Sequence, residues 1–142
     1  MNATSAATAS AVTFVWLGMV LAISFLEAPL KFRAPDVSVR IGLGIGRLVF
    51  RALNLVECVL AAAVVVAVVA GDAPGRAITW TGAAVAVLIV QLAVIRPRLN
   101  RRSDRVLAGE DLPRSRGHLL YVAFEVAKVV ALLGLGITLS AL

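Results

Sequence analysis

The chain has 142 residues, of which 61% are hydrophobic and 15% charged, with a mean hydropathy of +0.96. Soluble domains average about 45–50% apolar and about 25% charged residues, so the composition excludes an ordinary soluble module and reads as an integral membrane protein in one domain, 1–142. The net charge of +6 is concentrated, with seven arginines between Arg96 and Arg116. A cytoplasmic membrane loop accounts for such a cluster. Nucleic acid is not an expected partner, because the arginines lack aromatic interleaving and no nucleic-acid-binding pattern is present.

One cysteine, Cys58, and one histidine, His118, are present. They exclude an intrachain disulfide, a cysteine metal cluster and a multi-histidine metal site. No metal site is expected, and the sequence names no cofactor.

The N-terminal stretch lacks the positive region of a signal peptide, so the apolar segment after it is expected to stay as a helix. The first span is expected over about 9–30, close to the 20 residues a bilayer requires. Trp16 and Gly18 lie in its outer half. Glu27 lies near its other end, before Pro29, Lys31 and Arg33. Pro29 should kink or end that helix, and Pro35 is a second stop.

The second span is expected over 46–70. GLGIG, Gly42 to Gly46, precedes it. Its spacing and context do not fit a dinucleotide fingerprint. They fit close packing of helices through small residues. The 71–75 stretch, GDAPG, is a turn signal. It makes spans two and three antiparallel neighbours. Span three is expected over 78–95, with Trp80 at an interface and Gln91 as its one strongly polar residue. Pro97 is expected to end it. A basic loop, 96–117, follows, with a short surface helix within it. Span four is expected over 118–141.

The fold class is therefore all-α, a polytopic antiparallel bundle of four transmembrane helices. Basic residues crowd the first and third connections and are sparse in the second and the N-terminal tail. Placing the basic loops in the cytoplasm puts both termini outside a multi-pass cell-membrane protein.

Polar residues inside the spans form the candidate site. Charges in a bilayer are costly and face a protein interior, a partner or water. Glu27, Arg47, Arg51, Asn54, Glu57, Gln91, His118, Tyr121, Glu125 and Lys128 all fall in the cytoplasmic half or near mid-membrane. At about 100° per residue, Arg47, Arg51, Asn54 and Cys58 share one stripe with Glu57 at its edge, and His118, Tyr121, Glu125 and Lys128 share another. Both stripes are expected to face inward. Depth, at about 1.5 Å per residue, pairs Glu57 with Lys128 and sets Glu125 level with Arg51 or Asn54. Three glutamates balance three cations. This suits either a structural lock or an inward-opening polar cavity. No catalytic residue is assigned: a Glu57/Glu125 acid–base pair, a His118/Glu125 pair and a Cys58 nucleophile each fall short of a catalytic signature.

Several short motifs recur together. They are Trp16-Leu17-Gly18, Ala28-Pro29 with Phe32, the glycines leading to Arg47 with Phe50, Pro97, and His118. The chain resembles, on these motifs, the small four-helix integral membrane proteins of unknown function that include TMEM-type secretory-pathway proteins and their bacterial relatives. Its first span is also similar to the copper-resistance D-type membrane domains, although histidines and methionines for copper are lacking here. The resemblance implies the fold and no settled activity.

The expected function is binding or transport of a small solute or lipid headgroup at a cytoplasmic-side intramembrane polar site. The alternatives are an accessory subunit of a larger membrane complex and, third, a membrane enzyme acting on a lipid-soluble substrate. The expected partners are the lipid bilayer and either a second copy of the chain or a membrane complex.

Overall fold

A computed structural model describes residues 1–112 and 116–142. The described residues form four helices long and apolar enough to cross a membrane: α1 (Ala3–Arg33), α2 (Val39–Ala70), α3 (Gly75–Leu107) and α4 (Arg116–Ser140). Even the shortest, α4 with 25 residues, extends about 38 Å at 1.5 Å per residue, beyond a hydrocarbon core of about 30 Å. No strand occurs among the described residues.

Each helix packs against its neighbours in sequence, and α4 closes the ring on α1. The result is an up-down-up-down bundle. The 34–38 link and the arginine-rich segment lie at one end, called here the basic end. The two termini and the 71–74 turn lie at the other.

Local chemistry sets the helix boundaries. The Asn2 side chain accepts a hydrogen bond from Ser5 N at 2.7 Å, and Ser38 accepts one from Ile41 N at 3.1 Å. These caps begin α1 and α2 earlier than hydrophobicity predicts. The α2 C-terminus closes with Ala73 N–H on Val68 O and Asp72 N–H on Val69 O, with Asp72 at φ 53. The α3 C-terminus repeats the pattern with Glu110 N–H on Arg105 O, Gly109 N–H on Val106 O, and Gly109 at φ 99. Both are Schellman closures around a left-handed residue.

The prolines act differently from expectation. Neither Pro29 nor Pro97 ends its helix. Wide i→i+5 turns at Leu21–Glu27 and Gln91–Ile95 lie just before Ala28-Pro29 and Arg96-Pro97. A proline removes one N–H and presses its ring on the carbonyl four residues back. The wide turn moves that carbonyl aside, so the helix continues. The expected 96–117 loop is thus helical as far as Leu107, and its residues 113–115, Arg114 among them, lie outside the described residues.

Small residues bring the helices close. Gly42 and Gly46 are buried, and a Cβ at Gly42 would overlap the Phe32 ring of α1. A Cβ at Gly134 would lie 2.6 Å from Trp80 Cε2, and one at Gly136 the same distance from Phe14 Cζ. The half of the bundle away from the basic end is filled by Ala9, Val64, Val68, Leu132, Leu135 and Leu139. Its buried hydroxyls, Thr13 and Thr81, donate to their own helices at Ala9 O and Ala77 O, 2.7 and 2.8 Å away.

Candidate intramembrane polar site

Four helices meet at one level through Trp16 of α1, Glu57 of α2, Gln91 of α3 and Lys128 of α4. Each lies near the middle of its helix. Lys128 is fully buried, Glu57 equally so, and Glu125 and Gln91 are 1% and 2% exposed.

The Lys128 ammonium has three acceptors. Glu57 Oε2 and Glu125 Oε1 each lie 2.6 Å from Nζ, and Gln91 Oε1 lies at 2.8 Å. An ammonium carries three donors, so its hydrogen-bonding capacity is used in full. Glu57 Oε2 also accepts the Trp16 indole N–H at 2.9 Å. Glu125 Oε1 accepts from Gln91 Nε2 at 3.1 Å, and Glu125 Oε2 accepts from the Ser24 hydroxyl. Gln91 therefore uses its carbonyl on the cation and its amide on the anion, which fixes its orientation.

The wide turns contribute to this arrangement. Ser24 lies within the first and Gln91 opens the second. In the second, Arg96 N–H bonds Gln91 O, which sets Arg96 one wide turn below Gln91, toward the basic end.

Arg96 occupies an aromatic clamp. Its guanidinium carbon lies 4.7 Å from the Phe50 ring centre and 4.4 Å from that of Tyr121. The two rings meet edge to face, 5.8 Å apart. Such contacts stabilise a guanidinium when it is shielded from water. Among the described residues, Arg96 Nε and Nη2, the Tyr121 hydroxyl, Glu57 Oε1 and Glu27 Oε2 are buried without a hydrogen-bond partner. Buried polar groups are nearly always satisfied, which sets the Arg96 and Tyr121 donors apart from the fully bonded Lys128.

A cavity of about 90 Å³ lies beside them, bounded by Ser24, Phe50, Arg96, His118, Tyr121 and Glu125 among others. That is room for about three waters at about 30 Å³ each, or for one small group. Exposed His118 stands at its rim on the side of the basic end, and Glu125 carries it to the Lys128 cluster.

The residues singled out from sequence distribute unevenly. Glu57, Gln91, Glu125 and Lys128 come together, and Tyr121 and His118 border the adjoining cavity. Glu27 stays on α1, 3.7 Å from Lys31 and outside the cluster. Arg47 pairs with Asp104 of α3 at the basic end. Arg51 and Cys58 are exposed, and Asn54 is half-buried. The expected inward stripe turns outward at Arg51 and Cys58 and is half-buried at Arg47 and Asn54. The buried seam of α2 is Gly42, Gly46, Leu53, Glu57, Ala61, Val64 and Val68. Small and apolar side chains permit the close approach that fixes helix rotation. The long arginine stems can reach polar surroundings from the outer face. Glu125 accordingly meets Ser24, Gln91 and Lys128, not Arg51 or Asn54. His118 and Glu125 border one cavity without a hydrogen bond between them.

Sequence reasoning missed Phe50 of the clamp and three polar participants. Trp16 carried one usable signal, because a buried indole needs an acceptor. Ser24 was a lone hydroxyl in an apolar run. Arg96 was assigned to the loop because Pro97 follows it. Among the described residues no group of three or more His, Cys, Asp or Glu side chains could hold a metal ion. Comparison of the chain with family models, with curated proteins and with solved structures finds no match.

Proposed function

We propose that the protein binds, and in a membrane carries, a small solute bearing an anionic group, admitted from the basic end. The positive-inside tendency makes that end cytoplasmic. The observation that supports this reading most is the set of unpartnered donors, Arg96 Nε and Nη2 with the Tyr121 hydroxyl, beside a cavity that adjoins the Lys128 cluster. Two carboxylates and one ammonium in the cluster carry a formal charge of −1, which Arg96 offsets. An anion arriving at Arg96 disturbs that balance. A proton or cation accompanying it restores the balance, which suits coupled movement of charge. The apolar half of the bundle forms the closed side.

The test uses purified protein with formate, acetate and inorganic phosphate as probes. Thermal stabilisation of the wild type should appear at millimolar concentration. It should weaken about tenfold in Tyr121→Phe, which keeps the aromatic clamp and deletes one donor. Absence of stabilisation by all three anions, or equal stabilisation in Tyr121→Phe, contradicts the reading. Uptake of the stabilising anion into proteoliposomes then separates a carrier from a binding protein.

The outward polar face of α2 favours the second reading, an accessory subunit. Exposed Arg51 and half-buried Asn54 on a lipid-facing helix suit a partner helix. Copurification of a fixed partner in mild detergent, lost in Arg51→Leu, would support it.

A further inference from the structure

Beyond the central site, a second cavity of about 800 Å³ opens at the basic end between α3 and α4. Arg98, Arg101, Arg102 and Arg105 border it, at i, i+3, i+4 and i+7 on one face of α3. Arg116 of α4 borders it too, and Leu99 and Leu120 contribute apolar surface.

Like charges three and four residues apart oppose helix formation. Here four stand on one face. Among the described residues only Arg105 of the four has a carboxylate partner, Glu110 at 2.9 Å. The neighbouring acid Asp104 is taken by Arg47 on α2. Arg40 donates to Leu107 O at 2.6 Å. These two contacts hold the last turns of α3 to α2 while the arginine face borders the groove. Helix rotation is therefore fixed with Arg98, Arg101 and Arg105 exposed and Arg102 half-buried beside leucines.

We propose that this groove binds an anionic phospholipid, with the phosphodiester among Arg98, Arg101, Arg102 and Arg116 and the start of an acyl chain along Leu99 and Leu120. Charge complementarity selects the headgroup, because guanidinium groups match phosphate in a forked geometry. The apolar flank selects a lipid over a free anion. The volume accommodates a headgroup with part of its chains. The groove shares only Leu99 with the residues that border the central cavity, and the proposal stands whether or not that cavity binds a solute.

Native mass spectrometry of the full chain, titrated with phosphatidylglycerol and phosphatidylcholine, tests this. At about 1 kcal/mol per basic residue near a lipid surface, Arg101→Gln/Arg102→Gln should weaken phosphatidylglycerol binding about thirtyfold. Phosphatidylcholine binding should be unchanged. A control, Arg33→Gln/Arg76→Gln, removes the same charge away from the groove and should retain the wild-type preference. Equal loss in the control assigns the effect to net charge and overturns the proposal, as does undiminished binding in the groove variant. Displacement by millimolar inorganic phosphate overturns the lipid assignment. If the first variant melts early in neutral lipid, Arg98→Gln/Arg101→Gln carries the same expectation.

Discussion

Replacing Lys128 with methionine removes the one cation from a buried cluster and leaves an unbranched side chain one atom shorter. In the wild type, Glu57 Oε2 and Glu125 Oε1 each lie 2.6 Å from the ammonium, so these oxygens are at most about 5 Å apart. Two unit charges at that separation repel by about 3 kcal/mol at an effective dielectric constant of about 20. Gln91 also loses a charged donor, worth about 1.5–3 kcal/mol. Breaking one side of a buried pair costs about 3–5 kcal/mol in soluble proteins, and the two contributions overlap. Lys128→Met should therefore destabilise the fold by about 3–5 kcal/mol, measured by reversible unfolding in bicelles or mixed micelles. The triple variant Glu57→Gln/Glu125→Gln/Lys128→Met removes the repulsion and should recover most of that loss. Wild-type stability in Lys128→Met alone would refute the reasoning, because an ammonium with three acceptors cannot be removed from a buried site at no cost.

Three further outcomes follow from the packing. Trp16→Phe deletes the indole donor to Glu57 and should cost about 1.5–3 kcal/mol; in a Trp80→Phe background the remaining Trp16 emission should be blue-shifted and shielded from iodide. Gly42→Leu drives a side chain into the Phe32 ring and should cost about 1–3 kcal/mol by overpacking, whereas Gly82→Leu, where a Cβ meets nothing within 4 Å, should cost far less; equal unfolding midpoints would contradict the α1–α2 packing. A nitroxide on Cys58 should collide with dissolved oxygen and not with a water-soluble nickel chelate, since that face of α2 points away from the bundle; the opposite pattern would restore the inward stripe.

The four spans were legible because twenty-residue apolar runs and a Gly-Asp-Ala-Pro-Gly turn leave few other arrangements for the chain. Depth counting also places Glu57 opposite Lys128, since antiparallel helices of known rise bring equal depths together. Rotation was harder to read. On α2 the most polar stripe and the packing seam differ, and the seam of Gly42, Gly46, Ala61 and Val64 prevails because close approach rewards small side chains along the whole helix. The wide turns escaped the sequence reading altogether. A proline inside an apolar helix signals a break, a kink or a local widening equally well, and the widening is what brings Arg96 beneath Gln91. The clamp of Arg96 by Phe50 and Tyr121 joins residues on three helices, and no local pattern reports it.

Cysteine accessibility tests the central claim, a polar chamber open at the basic end and closed at the other. In a Cys58→Ala background, Ser24→Cys lies at the floor of the cavity beside Glu125, and Val64→Cys lies in the apolar half. A small cationic methanethiosulfonate applied to sealed vesicles of known orientation should modify Ser24→Cys from the face carrying the arginine-rich segment, and Val64→Cys from neither face. Modification of Ser24→Cys from the opposite face only, or of Val64→Cys as readily as Ser24→Cys, would contradict the account.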